Sequence, residues 1–333
     1  MGKMKAAVLH EAGQPLKISE IDIPKPGPGE VLIKMHASPI NPSDLAFMGG
    51  GYGIQKKYPV VPGFEGSGTV VEAGKGFLPK LWNGKKVSCA ASPKYNGCWA
   101  EYMVTSANMC VPVSKKINME QASMMFVNPM TALAFFDVLK KLSNSKKEKR
   151  GIINTAAASA LGRMIIKLGK KYNIPVVSVV RRQQQVEILK AEGAEFVVNS
   201  SDADFESQLK EIAHKLNTNV IFDAVGGSLV QKLLDAAPRG AHLFIYGRLD
   251  PDICEILPGN LIFSGNHIHG FWLAEYLKNK NFFHSLKTTR KIQSLIGNEL
   301  STQVNKTFPM EKISEAIEIY KNNMSSGKVL IRF

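Results

Sequence analysis

Between Gly151 and Gly247, short apolar runs rich in β-branched residues alternate with amphipathic stretches of helical period. Few folds accept that order. GIINTA, PVVSVV, FVVN, NVIFDAV and HLFIYG read as strands, and SALGRMIIKLGKKY, QQQVEILKAEG, DFESQLKEIAHKLN and LVQKLLDAA as the helices between them. A strand that is apolar along its whole length is buried on both faces, which happens when crossover helices cover both sides of a parallel sheet. The predicted class is therefore α/β, with a doubly wound parallel sheet.

The flanking sequence has a different texture. In the first 120 residues KAAVL, EVLIKM, GTVVEAG, KKVSC and AEYMV read as strands, broken by Pro and Gly clusters such as PKPGPGE, which predicts a small all-β unit. From Met119 the stretch MEQASMMFVNPMTALAFFDVLKKL has helical period and is expected to be interrupted at Pro129, before a charged loop, LSNSKKEKR. After about residue 270 come helices (AEYLKNKNFFHSLKTTRKIQSLI and EKISEAIEIYKNN) and a closing strand, KVLIRF. The order suggests a β-rich domain of residues 1–120 and 270–333, with the doubly wound domain, 121–269, inserted in it.

Composition narrows the class further. The length of 333 residues suits two domains at roughly 150 residues each. Apolar residues at 44% and charged residues at 21% exclude a disordered chain, a coiled coil and a collagen-like fibre. Mean hydropathy is −0.07, and no apolar run approaches the ~20 residues of a membrane span. The net charge of +14 suits anionic partners such as phosphates or coenzyme A thioesters, or is simply a solvated basic surface, since the positive residues are spread along the chain. Without an RNA-recognition motif, a zinc finger or a basic-aromatic ribbon, nucleic acid is not the expected partner. Cys89, Cys98, Cys110 and Cys254 form no C-x-x-C pair and are too sparse for a disulfide framework, which points to reduced thiols and a cytoplasmic compartment. The N-terminal sequence MGKMKAAVLHEAG offers no signal peptide or presequence, and Ala6 stands where myristoylation wants Ser or Thr.

Three turns lie where a doubly wound sheet binds ligands, at the carboxyl ends of its strands. After GIINTA the chain runs Ala157-Ala158-Ser159-Ala160-Leu161-Gly162, with one glycine where a G-x-G-x-x-G fingerprint has three. Small residues still let backbone approach a pyrophosphate at a helix N-terminus, and the Ser159 hydroxyl can donate; the alternative is close helix–strand packing. After PVVSVV come Arg181 and Arg182, with Glu187 the first acid that follows. Arginine there suits a 2′-phosphate and so NADPH over NADH, unless both are merely exposed at a helix start. Gly226-Gly227 and Tyr246-Gly247 follow the fourth and fifth strands, as ligand contacts or as ordinary turns.

The segments INPSDLAFMGGGYG (40–53), VPGFEGSGTVVEAG (61–74), VNPMTALAFF (127–136), SVVRR (178–182), FDAVGG, GFWL (270–273) and GKVLIRF, in this order and spacing, make the chain similar to the medium-chain dehydrogenase/reductase superfamily along nearly its whole length. It resembles most the zinc-free branch of NADPH-dependent quinone oxidoreductases and 2-enoyl thioester reductases. The resemblance implies a GroES-like β-rich domain plus a Rossmann domain, with the active site in the cleft between them and a homodimer formed through the Rossmann domain. Zinc-dependent relatives place a Cys in the segment matching INPSD and a Gly-His-Glu at the one matching GFE. Here those positions carry Asn41-Pro42-Ser43 and Gly63-Phe64-Glu65, so a catalytic zinc lacks its ligands and no metal is expected. Hydride transfer to an already activated C=C is the reaction that remains.

The resemblance also assigns residues. Tyr52, within Gly50-Gly51-Tyr52-Gly53, matches the tyrosine that stands beside the nicotinamide in 2-enoyl thioester reductases. A phenol there can hydrogen-bond the developing enolate; its other readings are a pocket wall and a plain loop residue. Asn41, Asn128 and Thr131 fall on family positions near the nicotinamide, or else serve as helix caps and turn formers. Phe271, Trp272 and Leu273 match a segment near the nicotinamide and acyl pocket, or are core packing. Lys328 matches a lysine that reaches the cofactor side. His267 and His269 share a strand face and are expected to be structural. The reading is an NADPH-dependent reductase of a 2-enoyl thioester; quinones and α,β-unsaturated ketones are the alternative acceptors, and a non-catalytic nucleotide- or nucleic-acid-binding protein is the remote one.

Overall fold

The computed structural model describes residues 2–143, 150–278, 280 and 282–333, without the side chains of 282–286. The expected charged loop at 142–150 therefore lies largely outside the described residues. The chain divides into two compact units, one of residues 1–129 and 286–333, the other of residues 130–285.

The first unit opens with β1 (Lys3–Val8) and β2 (Lys17–Asp22), an antiparallel pair. β3 (Glu30–Pro39), β4 (Glu65–Ala73), β5 (Lys86–Ala90), β6 (Tyr102–Ser106) and β7 (Cys110–Pro112) follow. The five expected strands are all present. β2 and β7 were not anticipated: KISEID carries charge on three of its six positions and none of it is fully buried, and CVP is too short for a period to show.

The second unit holds β8 (Ile152–Asn154), β9 (Val176–Val180), β10 (Phe196–Asn199), β11 (Val220–Asp223), β12 (His242–Ile245) and β13 (His267–Gly270). Every pairing is parallel, and the spatial order is β10-β9-β8-β11-β12-β13. Winding reverses between β8 and β11, the switch point at which such sheets bind ligands. Val177, Val179, Ile221 and Leu243 bury completely or nearly so against Leu209, Leu233 and Leu234 of the crossover helices, as apolar strands between two helical layers must.

The chain then returns to the first unit through β14 (Val304–Pro309) and β15 (Lys328–Arg332). β15 pairs in parallel with β14 and antiparallel with β3, completing a seven-stranded sheet ordered β14-β15-β3-β4-β5-β7, with β6 also on β3. Val329 and Ile331 share one core with Ala6, Leu9, Phe47, Trp99 and Tyr320. Burying each large member of such a cluster contributes about 1.5–3 kcal/mol.

Two helical expectations change in detail. The stretch from Met119 breaks before Pro129 rather than at it: one helix is Met119–Ala122 and the next Val127–Leu142. Pro129 sits in the first turn of the second helix, where its missing N–H has no intrahelical partner to lose. The long helix expected from Ala274 is two, Leu273–Lys278 and Phe282–Leu295. No helix among the described residues is long and apolar enough to cross a membrane.

Candidate active site

In the first unit, four polar side chains from three segments meet inside the core: Asn41 and Asp44, Glu65, and Lys328, none more than 2% exposed. Asn41 precedes the helix Pro42–Met48, but its side chain does not cap that helix. Instead Asn41 Nδ2 donates to Glu65 Oε1 at 3.0 Å, and Lys328 Nζ donates to Asn41 Oδ1 and, at 3.1 Å, to the Ile40 carbonyl. Asp44 takes the capping role from the other side, accepting from the Asn41 backbone N–H at 2.8 Å and the Phe64 N–H at 3.0 Å. Glu65 Oε2 accepts from the N–H groups of Phe126 and Val127 at 2.9 and 3.0 Å. A carboxylate thus caps the helix Val127–Leu142, where the helix dipole favours negative charge.

Asn128 and Thr131 lie inside that helix, so neither is its cap. Asn128 is half-buried and Thr131 is buried. Burial pushes the Asp44 carboxyl up to about 7, against the pull of the hydrogen bond from Asn41 and of the Lys328 charge. Burial likewise raises Glu65, and lowers the Lys328 ammonium to about 8 despite the two carboxylates beside it.

Tyr52 is half-buried between exposed glycines, and its ring packs on Phe64 with centroids 5.0 Å apart. Phe64 in turn meets Phe47 edge-on at 5.7 Å. Since Asp44 holds the Phe64 backbone, the tyrosine ring is seated on an aromatic platform tied to the buried polar cluster.

In the second unit the turn after β8 is built from small residues because it is crowded. Ala156 takes a left-handed conformation at φ 46°, a place where glycine is at home. A Cβ on Gly162 would lie 2.4 Å from the Ala157 carbonyl oxygen, so this one glycine is needed for the helix Ala160–Tyr172 to close on the turn. Ser159 Oγ caps the helix by accepting from Gly162 N–H at 3.1 Å, which leaves its own proton to donate. The backbone N–H groups of Ala160 and Leu161 carry no acceptor among the described residues. Two such groups, a hydroxyl and a helix N-terminus suit a phosphate.

Beside this turn, Thr155 and Asp223 join the ends of β8 and β11. Thr155 Oγ1 donates to Asp223 Oδ1 at 2.6 Å and accepts from Ala224 N–H, while Asp223 also accepts from the N–H groups of Val225 and Gly226. This fixes the loop at Gly226, where φ is 78°. Gly247 approaches the same loop so closely that a Cβ would lie 2.6 Å from the Ala224 carbonyl oxygen. Tyr246 packs on Phe135 at 4.9 Å, its hydroxyl pKa raised by burial and by the Asp223 charge. Arg181 and Arg182 are exposed after β9, and no ion pair among the described residues engages either guanidinium.

Two family profiles cover most of the chain: "Alcohol dehydrogenase GroES-like domain" matches residues 27–115, and "Zinc-binding dehydrogenase" matches residues 160–288. A solved structure from Mesorhizobium loti, provisionally named an NADPH:quinone reductase, is 34% identical, has a TM-score of 0.91, and covers 99% of this chain and 98% of its own. The chain belongs to the zinc-free branch of the medium-chain dehydrogenase/reductase superfamily. It is an oxidoreductase. A mitochondrial enoyl-[acyl-carrier-protein] reductase of Caenorhabditis elegans is 28% identical over 278 residues, 80% of this chain and 78% of that protein. One from Arabidopsis thaliana is 28% identical over 283 residues, 82% and 73% of the two chains.

For a medium-chain reductase, the donor set around Asn41 is unsuited to zinc. It comprises an amide whose oxygen is taken by a lysine ammonium, the phenyl ring of Phe64 and a carboxylate already engaged by three N–H groups. Elsewhere Phe271 meets Phe135 edge-on at 4.8 Å and Tyr276 at 5.7 Å, within an aromatic cluster that includes Phe222. That favours its packing role. Trp272 accepts, through its carbonyl, from Tyr276 N–H, and Leu273 opens the short helix Leu273–Lys278. His267 stacks on His242 at 4.7 Å, and His242 Nδ1 lies 3.1 Å from His269 Nε2. Reasoning from sequence missed Asp44, Glu65, Thr155 and Asp223. Each stands inside a quoted motif, but its role depends on a partner from a distant segment.

Proposed function

We propose that the protein is an NADPH-dependent reductase of activated C=C bonds, with 2-enoyl thioesters as the acceptor class. The residues present fit the cofactor. Ser159 with the N–H groups of Ala160 and Leu161 would hold the pyrophosphate, Arg181 and Arg182 the 2′-phosphate, and the loops at Gly226 and Gly247 the backbone close to it. The unit of residues 130–285 is then the cofactor-binding body. When bound, NADPH supplies the hydride for the β-carbon of the acceptor.

The observation that carries the reading is Tyr52 seated on Phe64. A phenol so anchored can donate to the thioester oxygen as negative charge gathers there, without reorganising at the moment of reaction. Asn41 and Asn128 orient amide-bearing or carbonyl groups nearby. The test is Tyr52→Phe assayed with crotonyl-CoA and NADPH. The expected loss is about 10²–10³ in kcat, with the fold retained. Unchanged turnover would reduce Tyr52 to pocket wall. A second reading, a quinone or α,β-unsaturated ketone as acceptor, is favoured by the name of the Mesorhizobium relative; quinone turnover indifferent to the substitution would select it.

A homodimer and a reducing, cytoplasmic compartment complete the proposal. β13 is the outer strand of its sheet, and Ile253, Leu257, Ile262 and Phe263 stand exposed in the chain before it. All four cysteines are unpaired.

A further inference from the structure

Asn41 is 1% exposed, and the orientation of its carboxamide is dictated by its neighbours. An amide can face either way, and the choice decides whether it offers a donor or an acceptor. Lys328 has donors only, so the atom it meets is the carbonyl Oδ1. Glu65 already receives two backbone N–H groups on Oε2, so its Oε1 serves as an acceptor and the atom it meets is Nδ2. Both constraints select the same orientation. Oδ1 is then used by an ammonium and one Nδ2–H by a carboxylate. The second Nδ2–H has no acceptor among the described residues. The ammonium on Oδ1 also draws electron density out of the amide and strengthens its remaining N–H as a donor.

We propose that Lys328 and Glu65 are positioning residues that lock Asn41 as a hydrogen-bond donor to a carbonyl oxygen of a bound ligand. The inference rests on the reductase reading above for the identity of that ligand, which is either the nicotinamide carboxamide or the acceptor carbonyl. Lys328 takes one of the two lone pairs of the Asn41 oxygen, and the N–H left over on Nδ2 is the group that calls for a new partner.

The test is a double-mutant cycle on the full-length protein, with Lys328→Met, Asn41→Ala and the double variant. NADPH affinity is read from the fluorescence of the bound nucleotide, kcat and KM from crotonyl-CoA turnover, and folding from thermal melting. Lys328→Met is expected to cost about tenfold or more in one readout, and nothing further in the Asn41→Ala background. A loss in NADPH affinity assigns the donor to the carboxamide. An intact affinity with reduced kcat assigns it to the acceptor. Effects that add in the double variant, or a folded Lys328→Met protein with wild-type values, overturn the lock. If Lys328→Met does not fold, Glu65→Gln replaces it in the cycle with the same expectation, since its amide nitrogen would oppose Asn41 Nδ2. Coupling in NADPH affinity without wild-type turnover would sink the acceptor reading and leave the lock standing. A wild type that neither binds NADPH nor turns over overturns both.

Discussion

At the scale of residues, the buried quartet makes stability depend on pH in a defined way. The Asp44 carboxyl is pushed up to about 7, above its ordinary value. The folded state therefore holds its proton more tightly, and this contribution, complete below the ordinary carboxylate range, is lost as pH rises to about 7. Lys328 is brought down to about 8, below its ordinary value, so its contribution grows as pH climbs from about 8 toward the ordinary lysine range. The melting temperature of Asp44→Asn should accordingly fall less than that of the wild type between pH 5 and pH 7, a difference of a few degrees by calorimetry. Equal slopes would show that Asp44 is ionised throughout. Sequence made Asn41 and Lys328 legible, because their positions match a family pattern. It did not reveal that they touch, since 287 residues separate them along the chain.

At the scale of elements, the turn after β8 shows how a phosphate turn works with one glycine. Ala156 carries the left-handed conformation, a strain of about 1–2 kcal/mol for a non-glycine residue. Ala156→Gly should raise stability by up to about 1 kcal/mol in denaturant unfolding, offset in part by the freer unfolded chain. Gly162→Ala should be strongly destabilising, because its Cβ meets backbone that cannot move aside. The arginines after β9 give a separate test. Replacing Arg181 and Arg182 together by Ala should weaken NADPH about tenfold or more and leave NADH nearly unchanged, as measured by fluorescence titration. The inner strands of the parallel sheet were readable because both faces are buried, so β8, β9 and β11 each carry a single polar residue in an otherwise apolar run. β2, β7 and β14 were not: they are short or charged, and β14 is defined by its pairing with β15, not by its own pattern.

At the scale of the whole molecule, the open edge of β13 and the exposed Ile262 and Phe263, at 69% and 73%, predict self-association. Light scattering should give twice the monomer mass of 36.5 kDa, and Ile262→Lys with Phe263→Lys should shift it to one copy with NADPH binding retained. A wild-type monomer would remove the dimer from the proposal. The pairing of β15 with β3 also sets an order of assembly during synthesis. Residues 130–285 form a continuous stretch and can fold while the ribosome is still translating, whereas the sheet of the first unit waits for residues 328–332. Because Lys328 opens β15, the partner of the Asn41 oxygen emerges 287 residues after Asn41 itself, and after the whole of the second unit. A nascent chain stalled before that point would display its cofactor-binding body complete while the carboxyl groups of Glu65 and Asp44 still lacked the lysine they meet in the finished fold.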